Sequence, residues 1–138
     1  MGGYHAVVAM MTLPYPPSMN HYWVRNPHRG MRISDEGERY RSLTGDVLRS
    51  YGLSFGRQRL KLVVGVWVPD RRRRDIDNLW KPMLDALKHG GLYDDDEQVD
   101  HEAMIRLGLD RESPRVEVFV KALPDDWDAL REFAESCR

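Results

Sequence analysis

Residues 70–100 read DRRRRDIDNLWKPMLDALKHGGLYDDDEQVD, and this stretch decides the fold. Four consecutive arginines, Arg71, Arg72, Arg73 and Arg74, run into Asp75, Asp77 and Asn78, and a second acidic knot, Asp94, Asp95 and Asp96, follows about one helix later. Arginines attract phosphate, whereas clustered carboxylates repel it unless a cation lies between them. A site holding both suits a polyanionic ligand bridged by a hard cation such as Mg²⁺. Residues two apart point to the same side only in extended backbone, so Asp75 and Asp77 are expected to share a cation just before a helix. Pro82 agrees, because its missing N–H is tolerated only in a first helical turn, which places the start of the regular helix near Leu79. Leu79, Met83, Ala86 and Leu87 then form an apolar stripe, and Gly90-Gly91 stop the helix. Lys81, four residues after Asp77, can reach the same cleft. Asp85 lies one turn further along that face.

Working outward, Leu60 to Val68 (LKLVVGVWV) alternates as a strand, with Leu62, Val64, Val66 and Val68 on one face. Its other face, Lys61, Val63, Gly65 and Trp67, is expected to be at least half covered. Ser34, followed by Gly37 and Glu38, opens a helix to about Tyr51. Tyr40, Leu43, Val47, Leu48 and Tyr51 make its apolar stripe, and Gly52 and Gly56 mark its end. Between Asn20 and Arg32 a surface loop is expected, carrying His21, Tyr22, Trp23, Arg25, His28 and Arg29. Its rings and cations suit nucleic-acid stacking and phosphate contact, or Tyr22 and Trp23 simply cover the core. Tyr4 to Leu13 reads as a strand ended by Pro14. On the far side, Val99–Leu109 and Arg115–Ala122 read as strands, with Val116, Val118 and Val120 alternating in the second. Pro124-Asp125-Asp126 begins a short helix with Trp127, Leu130 and Ala134 along one side, so 124–138 forms an acidic extension. The expectation is α/β (α+β): one domain over 1–138, with a small mixed sheet of about four strands and helices packed on it.

The net charge of −1 over 138 residues conceals an asymmetry. Residues 1–74 carry 13 Lys and Arg against 5 Asp and Glu, whereas 75–138 carry 8 against 17. Such a split pairs a basic surface with an acidic site or tail, unless the halves merely neutralise each other in the fold. The single cysteine, Cys137, has no internal disulfide partner, which fits a reducing cytoplasm. No stretch approaches a membrane span, and the basic flank and apolar core of a signal peptide are missing.

Each element of the 70–100 stretch also has a plain structural explanation: helix capping for the aspartates, a solvated loop for the arginines, a polar turn for Asp94–Asp96. One cap accounts for only one of Asp75, Asp77 and Asn78. An EF-hand loop counted from Asp75 fails, since its sixth and twelfth positions are Trp80 and Ala86. Zinc fails for want of a histidine or cysteine pair. A phosphatase of the Asp-x-Asp type places its first Asp at a strand end, but Pro69 to Arg74 separate Asp75 from the apolar strand.

The string from Asp70 through Lys81, followed by Asp85-Ala86-Leu87, resembles the signature of the RusA family of Holliday-junction resolvases. Residues 91–99, GLYDDDEQV, resemble its second acidic block, and Leu13-Pro-Tyr-Pro-Pro17 with Asn20 its opening strand and proline turn. The resemblance implies an intertwined homodimer of mixed α/β subunits, Mg²⁺ or Mn²⁺ dependence, and paired incisions in a four-way DNA junction. It places the essential carboxylates at Asp75, Asp77 and Asp96, with Asp95 as a further candidate, and the catalytic lysine at Lys81. Arg71 to Arg74, with Asn20, Arg25 and Arg29, would hold DNA. A non-catalytic binder of branched DNA, its aspartates only capping helices, is the rival within this frame.

Overall fold

The computed structural model describes residues 8–124 and 127–138. The chain runs through β1 (Val8–Pro14), the single-turn helix α1 (Met19–Tyr22), the hairpin strands β2 (Trp23–Asn26) and β3 (Gly30–Ile33), and helix α2 (Asp35–Tyr51). Strand β4 (Leu60–Val68) follows, then a 3₁₀ turn at Ile76–Leu79 that leads directly into α3 (Trp80–His89). A second 3₁₀ turn, Asp96–Gln98, precedes β5 (Val99–Leu109), β6 (Arg115–Ala122) and α4 (Trp127–Ser136).

Four strands form one mixed sheet in the order β1-β6-β4-β5. Both β1 and β4 are antiparallel to β6, while β4 and β5 run parallel. A parallel pair needs a crossover, and here the 3₁₀ turn and α3 provide it. The alternation read in β4 holds along its whole length: Leu62, Val64, Val66 and Val68 are buried beneath α2 and α3 with Val116, Val118 and Val120 of β6. Each such side chain contributes about 1.5–3 kcal/mol on burial. The other face of β4 is half-buried throughout, as expected.

Ser34 caps α2 by accepting from Gly37 N at 2.9 Å, and Gly52 ends the helix at φ +65°, a left-handed conformation that glycine adopts without strain. The buried face of α2 differs from the expected stripe. It runs through Gly37, Tyr40, Thr44, Gly45 and Leu48, leaving Leu43 and Tyr51 largely exposed. Small residues let α2 approach α3 closely, and large apolar ones are pushed to the edge. At Gly90 a Cβ would lie 2.5 Å from Leu48 Cδ1, so the end of α3 needs glycine to sit against α2.

One further expectation is corrected. Residues 20–32 form the end of α1 and a hairpin rather than a loop, because Trp23–Asn26 pairs with Gly30–Ile33. Tyr22 is fully buried, so that ring does cover the core. The expected C-terminal helix is present as α4, with Trp127 79% exposed and Ala134 exposed. Residues 4–7, Asp125 and Asp126, and the Leu130 side chain lie outside the description. Among the described residues, no helix is long and apolar enough to cross a membrane.

Candidate active site

The arginine run leaves β4 on a loop that Asp70 organises. Asp70 accepts from Arg72 N at 2.9 Å and pairs with Arg74 Nη2 at 2.6 Å, and these contacts, the backbone bond first, hold its carboxyl below the usual carboxylate range. Arg74 also donates to the carbonyls of Asp70 and Arg72, and Arg106 of β5 donates to the Arg74 carbonyl at 3.0 Å. Arg74 is therefore a brace for the loop and not a free cation. Arg71, Arg72 and Arg73 remain exposed.

Asp75 is extended (φ −96°, ψ 110°), but Asp77 already belongs to the 3₁₀ turn, which corrects the expectation of one extended segment for both. Asp75 caps that turn, accepting from Asp77 N at 3.2 Å. The cap is real and uses one carboxylate oxygen of one residue, so it leaves the rest of the acidic group unexplained. Both carboxylates are exposed and form no ion pair with described residues. They line a cavity of about 270 Å³ together with Trp80 and with Glu102 of β5. Neither Trp80 nor Glu102 stood out in the sequence. Glu102 reaches the site because the parallel β4–β5 pairing lays the middle of β5 beside the 3₁₀ turn, a long-range fact with no local signal. The buried Trp80 Nε1 has no hydrogen-bond acceptor among the described residues. A buried donor left this way costs about 1–3 kcal/mol, which a ligand oxygen or a water can offset.

Lys81 stands exposed in the first turn of α3, and Pro82 is buried behind it at the tolerated position. Asp85 does not face the cleft freely. It pairs with Arg41 at 2.8 Å and accepts from Tyr22 Oη, tying α3 to α2 and α1. Burial opposes the charge on Asp85, but the hydrogen bonds from Arg41 and then Tyr22 outweigh it and hold its carboxyl below the ordinary range.

The second acidic block is a built structure and not merely a polar turn. Asp95 caps the 3₁₀ turn Asp96–Gln98 in a reciprocal capping box. The buried Gln98 amide accepts from Asp94 N and Asp95 N and donates to the Gly56 and Gln58 carbonyls, all within 2.7–2.9 Å. Asp96 accepts from Tyr93 Oη at 2.8 Å, and the same hydroxyl lies 2.9 Å from the Leu84 carbonyl of α3. Burial, followed by the Asp96 charge, pushes the Tyr93 phenol far above its ordinary pKa, so it stays protonated as a donor. Among the described residues of one chain, no three His, Cys, Asp or Glu side chains gather closely enough to hold a metal ion. The described residues thus bring Asp75 and Asp77 to one cavity and do not bring Asp96 into a three-ligand cluster with them.

Of the proposed DNA contacts, Arg25 and Arg29 are exposed on the β2–β3 hairpin, and Asn20 is exposed on α1. A second, larger cleft opens on the other side of Asp75, with walls from the proline turn after β1, from α2 and from Arg72–Asp75.

The model of the family described as Endodeoxyribonuclease RusA matches residues 14–121. A "Crossover junction endodeoxyribonuclease rusA" of Enterobacteria phage HK97 is 47% identical over 97 residues, covering 68% of this chain and 78% of that protein. The protein of the same name from Enterobacteria phage 82 is 38% identical over 108 residues, covering 78% of this chain and 85% of its own length. A "Crossover junction endodeoxyribonuclease RusA" from Shigella sonnei is 39% identical over 98 residues, covering 70% and 81%. The family match runs from the end of β1 into β6 and includes every candidate residue from Asn20 to Asp96, and the chain belongs to the RusA family of endodeoxyribonucleases.

Proposed function

We propose that this chain is a structure-selective endodeoxyribonuclease that resolves four-way DNA junctions by paired, metal-dependent phosphodiester hydrolysis, acting as a homodimer in the cytoplasm. The observation that carries the reading is the pair Asp75 and Asp77, exposed and without cationic partners among the described residues, set directly after a loop with three exposed arginines. Opposite charges this close, left unneutralised by each other, suit a ligand that supplies both phosphate and cation.

The donor set fits Mg²⁺, with Mn²⁺ as a substitute. All candidate donors are carboxylate oxygens, and Mg²⁺ is commonly held by only one or two carboxylates, with waters and substrate phosphate filling the rest. Asp75, Asp77 and Asp96 are the residues that would hold it. When bound, the ion lowers the pKa of a water and neutralises phosphate charge. The chain's own groups do the rest. Lys81 stabilises the added negative charge of the in-line transition state. Arg71, Arg72 and Arg73 grip backbone phosphates, with Asn20, Arg25 and Arg29 extending the grip along the hairpin side.

A second copy is supported by β5, an 11-residue edge strand among the described residues that exposes Ile105, Leu107 and Leu109. Such an edge invites pairing. A two-fold dimer presents two sites to a two-fold junction.

The test compares wild type with Asp75→Asn and Asp77→Asn on a synthetic four-way junction, with and without Mg²⁺, beside a linear duplex. Metal-dependent cutting of the junction by wild type, lost in both variants while junction binding persists, is expected. Full cutting by both variants would leave the carboxylates as helix caps and the reading without a mechanism.

A further inference from the structure

We propose that the cleft of about 580 Å³ beside Asp75 receives one unstacked nucleotide of the strand being cut, and that Glu36 reads the edge of its base. This rests on the nuclease reading above and goes beyond it by assigning a base-binding subsite. The volume lies within the ~300–1,000 Å³ of small-ligand sites, so the cleft is larger than a groove for backbone phosphates requires.

Its walls differ in chemistry. One wall comes from Arg72 and Arg73 and ends at Asp75, which fits a phosphate held next to the reacting centre. The other walls mix polar groups, among them His21 and Arg39, with apolar surface: Tyr15 and Pro16 of the turn after β1, and Leu43 of α2. Phosphate gains nothing from the apolar surface, but every base has a face that stacks on it. The hydroxyl of Tyr15 is buried without a hydrogen-bond partner among the described residues, so this wall is not fully satisfied by the protein itself.

Glu36 is the informative member. It lines the cleft from the first turn of α2, is exposed, and forms no ion pair with described residues. An anion in a phosphate groove repels the backbone. Asp35 and Glu38 already place negative charge at this helix start, so the dipole does not require a third carboxylate there. A carboxylate is an acceptor only, and the group it accepts from on a nucleotide is an N–H of the base, as when Glu or Asp accepts from an exocyclic amine. Glu36 therefore discriminates among bases at the position that enters the cleft, while the arginines act alike on all of them.

The experiment uses junctions carrying 2-aminopurine singly at positions around the cut, whose fluorescence rises when the base leaves the stack. Ca²⁺ replaces Mg²⁺ so that the complex stays uncut. With wild type, one position next to the cut brightens. Leu43→Trp fills the cleft from an exposed site. It removes that rise and lowers the cutting rate by about tenfold or more, while junction affinity stays within about threefold. Glu36→Gln, close to isosteric, changes the ratio of cutting rates among the four bases at that position by about tenfold. If wild type cuts the junction but no position brightens, or if Leu43→Trp cuts and brightens as wild type does, the subsite is refuted and the nuclease reading survives. Failure of wild type to cut any junction in Mg²⁺ removes both.

Discussion

Asp85→Asn tests how the site's helix is seated. Asp85 lies one turn beyond Lys81 on α3 and joins three helices, with Arg41 Nε at 2.8 Å from its carboxylate and 3.1 Å from Tyr22 Oη. The Arg41 and Asp85 side chains are only 20% and 27% exposed, so water replaces their contacts poorly. The asparagine can still accept from Tyr22, but Arg41 loses its counter-charge. Hydrogen bonds to charged groups contribute about 1.5–3 kcal/mol each, and breaking a wholly buried pair costs about 3–5 kcal/mol. Partial exposure places this substitution at about 2–3 kcal/mol. At roughly 3–4 °C per kcal/mol for a chain of this size, Tm falls by about 7–10 °C at neutral pH. The acid dependence provides a second check. The folded-state pKa of Asp85 lies below its unfolded value near ~3.9, so its contribution is complete above that value and is lost as pH falls through the folded one. The difference between wild type and variant should hold constant from pH 7 to about 5 and close in stronger acid. Urea unfolding followed by circular dichroism at several pH values measures both. A cost below about 0.5 kcal/mol, or a gap that does not narrow in acid, would show that the Arg41–Asp85–Tyr22 cluster is a surface pair of no consequence.

Tyr93→Phe removes the hydroxyl that orients Asp96 and should raise the Mg²⁺ concentration for half-maximal cutting by about tenfold, with kcat at saturating metal much less affected; an unchanged metal titration refutes the link. Gln98→Leu strips partners from two N–H groups and two carbonyls at once and should lower stability by about 3 kcal/mol or more in chemical denaturation. Arg73→Ala should weaken junction binding and reduce the slope of log affinity against log salt by about 1, whereas Arg74→Ala, which removes a brace inside the loop, should lower Tm as well.

The sequence by itself determined the elements that repeat locally. The strict alternation of β4 and β6, the cap at Ser34, and Pro82 within a first helical turn each reflect backbone and side-chain preferences acting over a few residues, and each appears in the structure. The family was legible for the same reason, because its signature is a contiguous run from Asp70 to Lys81. The tertiary structure alone decided which charges are free. Arg74 and Arg73 look alike in the run, yet folding the loop onto Asp70 and Arg106 turns one into a brace and leaves the other exposed. The same holds for α2, where close approach to α3 selected glycine and threonine for the buried face over Leu43 and Tyr51. Glu102 joined the cavity of Asp75 and Asp77 through strand pairing, with Leu62 of β4 opposite it some 40 residues away in the chain, and no local pattern encodes a partner that only the closed sheet brings near.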